Sequence, residues 1–186
     1  MPSYVLASQS PRRKQLLEWA EIDFEIIVHP TDESYPPGLT PRAVAEHIAN
    51  EKAAAVVPLA GGRTVIAADT IVVLETDIIG KPRDRADAVS ILTRLAGREH
   101  EVITAVCLSN GKKHKLFSDL TKVRFHPISA ASIEFYVDKY KPYDKAGAYA
   151  IQEWIGVVGI HSISGDFYNV MGLPVSRVVQ ALDEFG

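Results

Sequence analysis

An α/β fold with a mixed β-sheet is the architecture that this sequence predicts, on three observations. Segments typical of strands alternate along the chain with segments typical of helices. The run Thr64–Leu74 is rich in β-branched residues and apolar on both faces, which indicates a strand that is covered on both sides. Glu99–Ser109 and Lys115–His126 flank the pair Asn110-Gly111, which is typical of a β-hairpin turn.

The other elements are predicted from capping residues, prolines and hydrophobic periodicity. The further predicted strands are Tyr4–Ala7, Phe24–His29 and Ile78–Ile79. Two predicted helices begin at Ser10-Pro11 and at Thr40-Pro41, and the second of these runs to about Val57, before Pro58. Three further helices are predicted at Asp84–Ala96, Ser129 to about Tyr140 and Pro174–Phe185. We expect a mixed loop-and-strand region at Gly147–Ile160 and a polar loop at Ile163–Val170.

Composition limits the class of protein. The 186 residues fit one domain, and with 47% hydrophobic and 23% charged residues the chain is expected to be globular. A formal net charge of −3 argues against a general affinity for nucleic acid or anionic membranes. The single cysteine, Cys107, excludes an internal disulfide and favours the cytoplasm. No secretory leader pattern or run of transmembrane length is present, so we expect a soluble protein.

Positive charge is concentrated where the first helix begins. With Ser10 as N-cap and Pro11 as the first helical residue, Arg12, Arg13 and Lys14 fall in the first turn. The helix dipole disfavours cations there, whereas the free backbone N–H groups of a helix start favour an anion such as phosphate. These residues therefore fit a phosphate site, and they fit a solvated basic turn equally well.

Two charged residues occupy positions where the pattern calls for apolar ones. Asp69 lies in the middle of the apolar run Thr64–Leu74, where a carboxylate is costly unless it is hydrogen-bonded, paired or near a metal. We favour a working site there over an aspartate that only satisfies backbone N–H groups. Lys52 shares the core-facing stripe of its helix with Ile48 and Val56. On that pattern alone, a lysine that extends its ammonium to solvent is the commoner explanation, and one that points into a cleft is the alternative.

Two loops carry further candidate groups. Gly80 and Pro82 hold Lys81 in a defined turn. Asp32 and Glu33 offer hard oxygen ligands of the kind that Mg²⁺ accepts beside substrate phosphates. Each loop also fits an ordinary solvated surface segment. The sequence holds no histidine or cysteine spacing typical of zinc, no G-x-S-x-G, no P-loop and no dinucleotide fingerprint.

Taken together, these segments resemble the Maf family of nucleoside triphosphate pyrophosphatases, once described as septum-formation inhibitors. The resemblance spans nearly the whole chain, and its blocks stand in the family's order. The matching blocks are Leu6-Ala7-Ser8-Gln9-Ser10-Pro11-Arg12-Arg13, Glu33, Glu51-Lys52-Ala53, Ala68-Asp69-Thr70, Gly80-Lys81-Pro82, Lys145–Gln152 and Asp166–Pro174. The ordered set is far more specific than any single block.

The resemblance implies a fold and a reaction. The expected fold is a single domain over residues 1–186, an elongated mixed sheet flanked by helices, similar to inosine triphosphate pyrophosphatases, with a central cleft. The expected reaction is cleavage of a nucleoside triphosphate between its α- and β-phosphates with a divalent metal, Mg²⁺ or Mn²⁺. The resemblance further implies a cytoplasmic homodimer that acts in nucleotide pool cleansing, with a link to septum formation and cell division arrest.

The resemblance also implies roles for individual residues. Asp69 is the expected general base and, with Glu33, the expected metal ligand. The expected substrate-binding residues are Ser8, Arg12, Arg13, Lys52, Thr70, Lys81 and Gln152. Arg12, Thr70 and Gln152 match the branch that acts on dTTP, UTP and modified pyrimidine triphosphates, whereas the sister branch, active on 7-methyl-GTP, tends to place Tyr, Gln and Glu there. The alternatives are that sister activity, a non-catalytic nucleotide-binding regulator of septum formation and, disfavoured by the net charge, a single-strand nucleic-acid binder.

Overall fold

The strands of the computed structural model, which describes residues 3–185, form one mixed sheet. They are β1 (Tyr4–Leu6), β2 (Phe24–Ile26), β3 (Thr64–Leu74), β4 (Asp77–Ile79), β5 (Glu99–Ser109), β6 (His114–Phe125) and β7 (Ile160–Ser164). Their order is β2-β1-β3-β5-β6-β7, with β4 beside β3. β1 pairs in parallel with β2 and β3, whereas β3 with β4 and β6 with β7 are antiparallel pairs. The predicted α/β fold with a mixed sheet is confirmed.

The helices begin largely where capping residues predict them. They are α1 (Pro11–Trp19), α2 (Pro41–Val56), α3 (Arg85–Leu95), α4 (Ala130–Tyr140), α5 (Trp154–Gly159), α6 (Phe167–Met171) and α7 (Val175–Leu182). The side chains that accept a backbone N–H bond at the start of α1, α2, α3 and α4 belong to Ser10, Thr40, Asp84 and Ser129. Such caps satisfy N–H groups that the helix itself leaves unpaired. Within residues 3–185, no helix combines the length and apolar character needed to cross a bilayer.

Two predictions about the C-terminal third were wrong. Gly147–Ile160 contains the helix α5, which the sequence pattern hides because Gly156 lies inside it. A Cβ atom at Gly156 would lie 1.7 Å from the carbonyl oxygen of Ile151, so the close approach of the backbone requires glycine there. The expected polar loop contains the end of β7 and the helix α6, whose first N–H groups are satisfied by the Asp166 carboxylate.

Smaller differences concern the length of turns and strands. The connection between β5 and β6 has four residues, Asn110–Lys113, because β6 begins one residue before its predicted start. The Asn110 side-chain oxygen accepts N–H bonds from Lys112 and Lys113, so a side-chain turn replaces the predicted tight hairpin turn. β2 ends at Ile26, three residues before the predicted end.

The internal contacts of the chain divide it into two compact units. Unit 1 holds the residues up to Thr70, residues 104–119 and the residues from Gly172 onward, and unit 2 holds residues 71–103 and 120–171. Each unit has a buried apolar interior, with Leu6, Leu17 and Ile66 in unit 1 and Leu92, Ile133 and Phe125 in unit 2. Cys107 is buried in unit 1, and burial raises the pKa of its thiol to about 12. A buried thiol with a raised pKa is typical of a structural cysteine rather than a reactive one.

Candidate active site

Asp69 and its neighbour Thr70 lie in the middle of β3, a strand that is otherwise buried. The other nine residues of β3, which is described in full, are buried, and only these two are partly exposed. Because side chains alternate along a strand, Asp69 and Thr70 point to opposite faces. The strand thus places two polar side chains at a fixed position between two apolar stretches.

The carboxylate of Asp69 is paired with Lys52. The Lys52 Nζ atom on α2 donates to Asp69 Oδ1 at 2.8 Å and lies 2.8 Å from Oε1 of Glu33, in the segment after β2. The side chains of Lys52 and Asp69 are 18% and 13% exposed, whereas that of Glu33 is 51% exposed. The ammonium therefore lies on two carboxylates rather than extending into solvent. We call Glu33, Lys52 and Asp69 the Lys52 cluster.

Arg13 is buried on the other side of this strand position. Its Nε donates to the carbonyl oxygen of Gly172 at 2.8 Å, and its terminal nitrogens donate to Ser8 Oγ at 3.2 Å and Thr70 Oγ1 at 2.9 Å. Burial lowers the pKa of the Arg13 guanidinium, and the charge of Asp69 opposes that shift. With three of its N–H groups bound to the protein, Arg13 is suited to holding Ser8 and Thr70 in place.

The partners of Arg13 are themselves fixed. Thr70 Oγ1 lies 2.9 Å from Thr104 Oγ1, and Ser8 Oγ accepts the Ser10 N–H at 3.2 Å. Gly172 has φ of +121°, a conformation that L side chains rarely adopt, and this backbone geometry directs its carbonyl toward Arg13. The network therefore joins α1, the segment after β1, β3, β5 and the segment before α7 within unit 1.

We expect Arg13→Ala to lower the free energy of unfolding by about 2–3 kcal/mol, because it leaves buried acceptors without their charged donor. Urea denaturation would measure this loss. Lys14→Ala is the matched control, since Lys14 is exposed and pairs with Glu18 on the helix surface, and it should change the free energy by less than about 0.5 kcal/mol. Equal stability of the Arg13→Ala and Lys14→Ala proteins would contradict the positioning role.

The remaining predicted site residues are less buried. Arg12 is half-buried in the first turn of α1 in unit 1. Lys81 is exposed in unit 2, and the carbonyl of the preceding Gly80 accepts the Gly147 N–H at 3.2 Å. Gln152 is exposed in unit 2, in a turn closed by a bond from the Glu153 N–H to the Ala150 carbonyl oxygen at 3.1 Å. Within unit 1, hydrogen bonds join Ser8, Arg13 and Thr70, and ion pairs join the Lys52 cluster.

The donor set of the Lys52 cluster fits a divalent cation that arrives with phosphate. The part of the chain that the structure describes holds no group of three or more His, Cys, Asp or Glu side chains placed to hold a metal ion. Mg²⁺, however, is commonly bound by one or two carboxylates with substrate phosphates and water. Glu33 and Asp69 supply two such oxygens, both directed at one cationic atom. The carboxylate of Asp32, the other acidic residue of that loop, accepts bonds from the N–H and the hydroxyl group of Ser34.

One charged group in unit 2 was not singled out from the sequence. Lys145 is buried, and its Nζ lies 2.8 Å from Asp144 Oδ1 and 3.7 Å from Glu153 Oε1. The buried Tyr136 donates a short hydrogen bond to Glu153 Oε2. Lys145 belongs to the block that carries the family resemblance, so that block was a usable signal, whereas Tyr136 has the spacing of an ordinary core residue of α4.

The mixed sheet holds carboxylates and cations close together, beside the N-terminus of a helix. This arrangement is typical of enzyme sites that act on phosphate groups. The chain belongs to the Maf-like protein family, whose model matches residues 3–185. This confirms the resemblance that the ordered blocks indicate.

Curated relatives cover almost the whole chain. A protein of Cytophaga hutchinsonii named dTTP/UTP pyrophosphatase is 47% identical over 180 residues, which are 97% of this chain and 83% of that protein. A protein of the same name from Bacteroides thetaiotaomicron is 46% identical, and the match covers 94% of this chain and 91% of that protein. Another from Bacillus velezensis is 44% identical, and the match covers 97% of this chain and 95% of that protein. The solved structure of the Staphylococcus aureus Ham1 protein matches with a TM-score of 0.52 at 19% identity, over 98% of each chain. At this identity the likeness shows the fold alone. It is the predicted fold, similar to that of inosine triphosphate pyrophosphatases.

Proposed function

We propose that this chain hydrolyses dTTP and UTP to the nucleoside monophosphate and pyrophosphate. The names of the curated relatives support the reaction and the substrate class. The observation that carries the proposal is the Lys52 cluster, in which an acid of a buried strand is held at 2.8 Å by a lysine. Such a pair places a proton acceptor beside a cation, an arrangement that suits the hydrolysis of a phosphoanhydride.

Asp69 is the proposed general base. Its carboxylate takes a proton from water as the water oxygen attacks the α-phosphorus, and pyrophosphate departs with the electrons of the broken anhydride bond. The Lys52 ammonium fixes Oδ1 of this carboxylate, which leaves Oδ2 to meet the water. The same ammonium favours the negative charge that develops on the phosphate oxygens.

The proposed phosphate contacts come from the start of α1, from Ser8 and from Lys81 rather than from Arg13. Arg12 and the N–H groups at the start of α1 would bind phosphate oxygens, as would the exposed Lys81. Ser8 would do so through its hydroxyl, which Arg13 orients at 3.2 Å. Direct contact of Arg13 with substrate stays a prediction, and its geometry favours support of Ser8 and Thr70.

We propose Mg²⁺ or Mn²⁺ as the cofactor, with Glu33 and Asp69 as its protein ligands. The two carboxylates that face Lys52 support this assignment. When bound, the metal neutralises phosphate charge and lowers the pKa of the attacking water. We also propose that residues 1–186 act as one catalytic domain in a cytoplasmic homodimer that binds free nucleotides and not nucleic acid. Light scattering on the purified chain would measure the oligomeric state.

The reaction is tested by identifying the products and the bond that breaks. In water enriched in ¹⁸O, attack at the α-phosphorus places the label in the monophosphate and leaves pyrophosphate unlabelled. Mass spectrometry of the products of dTTP and UTP would measure this. Release of inorganic phosphate with a nucleoside diphosphate, or binding without turnover across a panel of natural and modified triphosphates, would refute the proposed function.

Gln152 is the proposed reader of the pyrimidine edge, with Thr70 and Arg12 as further specificity residues. Its amide both donates and accepts, and so complements the carbonyl oxygens and N3–H of uracil or thymine, whereas a carboxylate only accepts. We expect Gln152→Glu to lower kcat/KM for UTP by about 5- to 150-fold and to affect 7-methyl-GTP less. Gln180→Glu, on the exposed face of α7, introduces the same charge as a control. An unchanged ratio of the two kcat/KM values would rule Gln152 out as the reader.

A further inference from the structure

The turn of residues 150–153, which carries Gln152, is hydrogen-bonded at both ends to one buried hydroxyl group. Tyr136, on α4 of unit 2, is fully buried, and its Oη accepts the Ala150 N–H at 3.2 Å. The same hydroxyl donates its proton to Glu153 Oε2. Residues 150 and 153 are the first and last of the turn, which the bond from the Glu153 N–H to the Ala150 carbonyl oxygen closes. One hydroxyl thus binds both ends of the turn.

The surroundings of this hydroxyl leave the turn little freedom. Ala150 and Ile151 are each only 4% exposed, so Gln152 is the turn residue that extends into solvent. The second carboxylate oxygen of Glu153 faces the buried Lys145 at 3.7 Å. The ring of Tyr136 stacks on Tyr140 with centroids 5.0 Å apart, which fixes the direction of its hydroxyl. The direction in which Gln152 leaves the protein is therefore set by groups other than Gln152 itself.

We propose that Tyr136 is a positioning residue for base selection, acting through the turn of residues 150–153. This inference rests on the proposed function, in which Gln152 contacts the base. A side-chain amide discriminates between bases only if its donor and acceptor stay in one orientation, because a mobile amide can adapt to either edge. The hydroxyl of Tyr136 supplies that fixed orientation while remaining too deep to touch a ligand.

Tyr136→Phe tests the inference because it removes the hydroxyl and keeps the ring. We expect the preference for UTP over 7-methyl-GTP, taken as the ratio of kcat/KM values, to fall about 3- to 30-fold. We also expect the backbone amides of residues 150–153 to exchange with deuterium about tenfold faster or more, since the Ala150 N–H loses its acceptor. Tyr149→Phe is the matched control, because it removes another buried hydroxyl of unit 2, one bonded to His100 at 2.6 Å, without removing a bond to the turn.

Glu153 provides a second test that does not depend on the folding of Tyr136→Phe. Glu153→Gln keeps an oxygen that accepts the Tyr136 proton and should retain most of the UTP preference. Glu153→Ala removes that acceptor and should lose as much preference as Tyr136→Phe. The inference would be overturned if Tyr136→Phe had the same UTP preference as the wild type. If Tyr136→Phe does not fold, the same preference in Glu153→Ala as in the wild type would overturn it.

The outcomes separate this inference from the proposed function. If Gln152→Glu shifts the substrate ratio and the Tyr136 and Glu153 variants do not, only the positioning role fails. If the wild type releases no pyrophosphate from either substrate, the proposed function fails. Hydrogen exchange of residues 150–153 then still decides whether the Tyr136 hydroxyl holds the turn, and unchanged exchange in Tyr136→Phe would refute that as well.

Discussion

Asp69→Asn is expected to lower kcat for dTTP by about 10²- to 10⁴-fold while the protein stays folded. The substitution keeps the size of the side chain and an oxygen that can accept the 2.8 Å bond from Lys52, but it removes the proton acceptor. Because the hydrogen bond survives, the melting temperature should change little. Pyrophosphate release at saturating Mg²⁺ measures the rate, and thermal unfolding measures the stability.

A matched carboxylate separates a loss of chemistry from a loss of charge. Glu25 on β2 is exposed and pairs with Arg63 at 2.7 Å within unit 1. Glu25→Gln removes the same charge there and should leave kcat near the wild-type value. Turnover close to wild type in Asp69→Asn, at saturating metal and substrate, would show that another group accepts the proton.

The local features of this fold could be predicted from the sequence because their causes are local. Ser10, Thr40, Asp84 and Ser129 each cap the helix that they were predicted to start. The helix α6 was missed although Asp166 caps it in the same way, since its five residues are too few to show a hydrophobic period. Local capping signals are thus reliable where a longer apolar pattern supports them.

The candidate site was predicted in part, and the missing part depends on tertiary structure. The apolar neighbours of Asp69 mark it as unusual in the sequence alone, and the stripe position of Lys52 indicates that its stem is buried. The pairing of the two, and the third charge from Glu33, depend on how α2 and the segment after β2 meet β3. The spacing of residues along the sequence does not show which of these elements come into contact.

The contacts of Arg13 and Tyr136 also could not be predicted from the sequence, because their partners lie far away along the chain or on another element. Arg13 was predicted to bind phosphate because its position in the first turn of α1 suits an anion, but its acceptors include a carbonyl 159 positions further along the chain. Tyr136 has the helical spacing of a core residue, and its burial agrees with that. Its bonds to Ala150 and Glu153 appear only when α4 and the turn are placed together.

Lys52→Met is expected to lower kcat/KM for dTTP by about 10²- to 10³-fold, because it removes a fixed cation from the place where charge develops. Methionine keeps much of the apolar stem that crosses the core-facing stripe of α2. The free energy of unfolding should also fall, by about 1–3 kcal/mol, since the partly buried Asp69 carboxylate loses its donor. A loss of rate with unchanged stability would contradict the pairing that defines the Lys52 cluster.

The metal dependence of the same variant separates the two duties of the carboxylates. In the wild type, the Lys52 ammonium lies 2.8 Å from an oxygen of each proposed metal ligand, Glu33 and Asp69, and so competes with a divalent cation for them. Without that ammonium, two like charges face each other and should bind Mn²⁺ more tightly, by about tenfold. Titration calorimetry with Mn²⁺ alone would measure this for the wild type and for Lys52→Met, with Lys14→Met as the control on the surface of α1. Weaker Mn²⁺ binding by Lys52→Met would mean that Lys52 holds the carboxylates in place for the metal. Mn²⁺ binding that is the same in Lys52→Met as in the wild type would mean that Glu33 and Asp69 do not form the metal site.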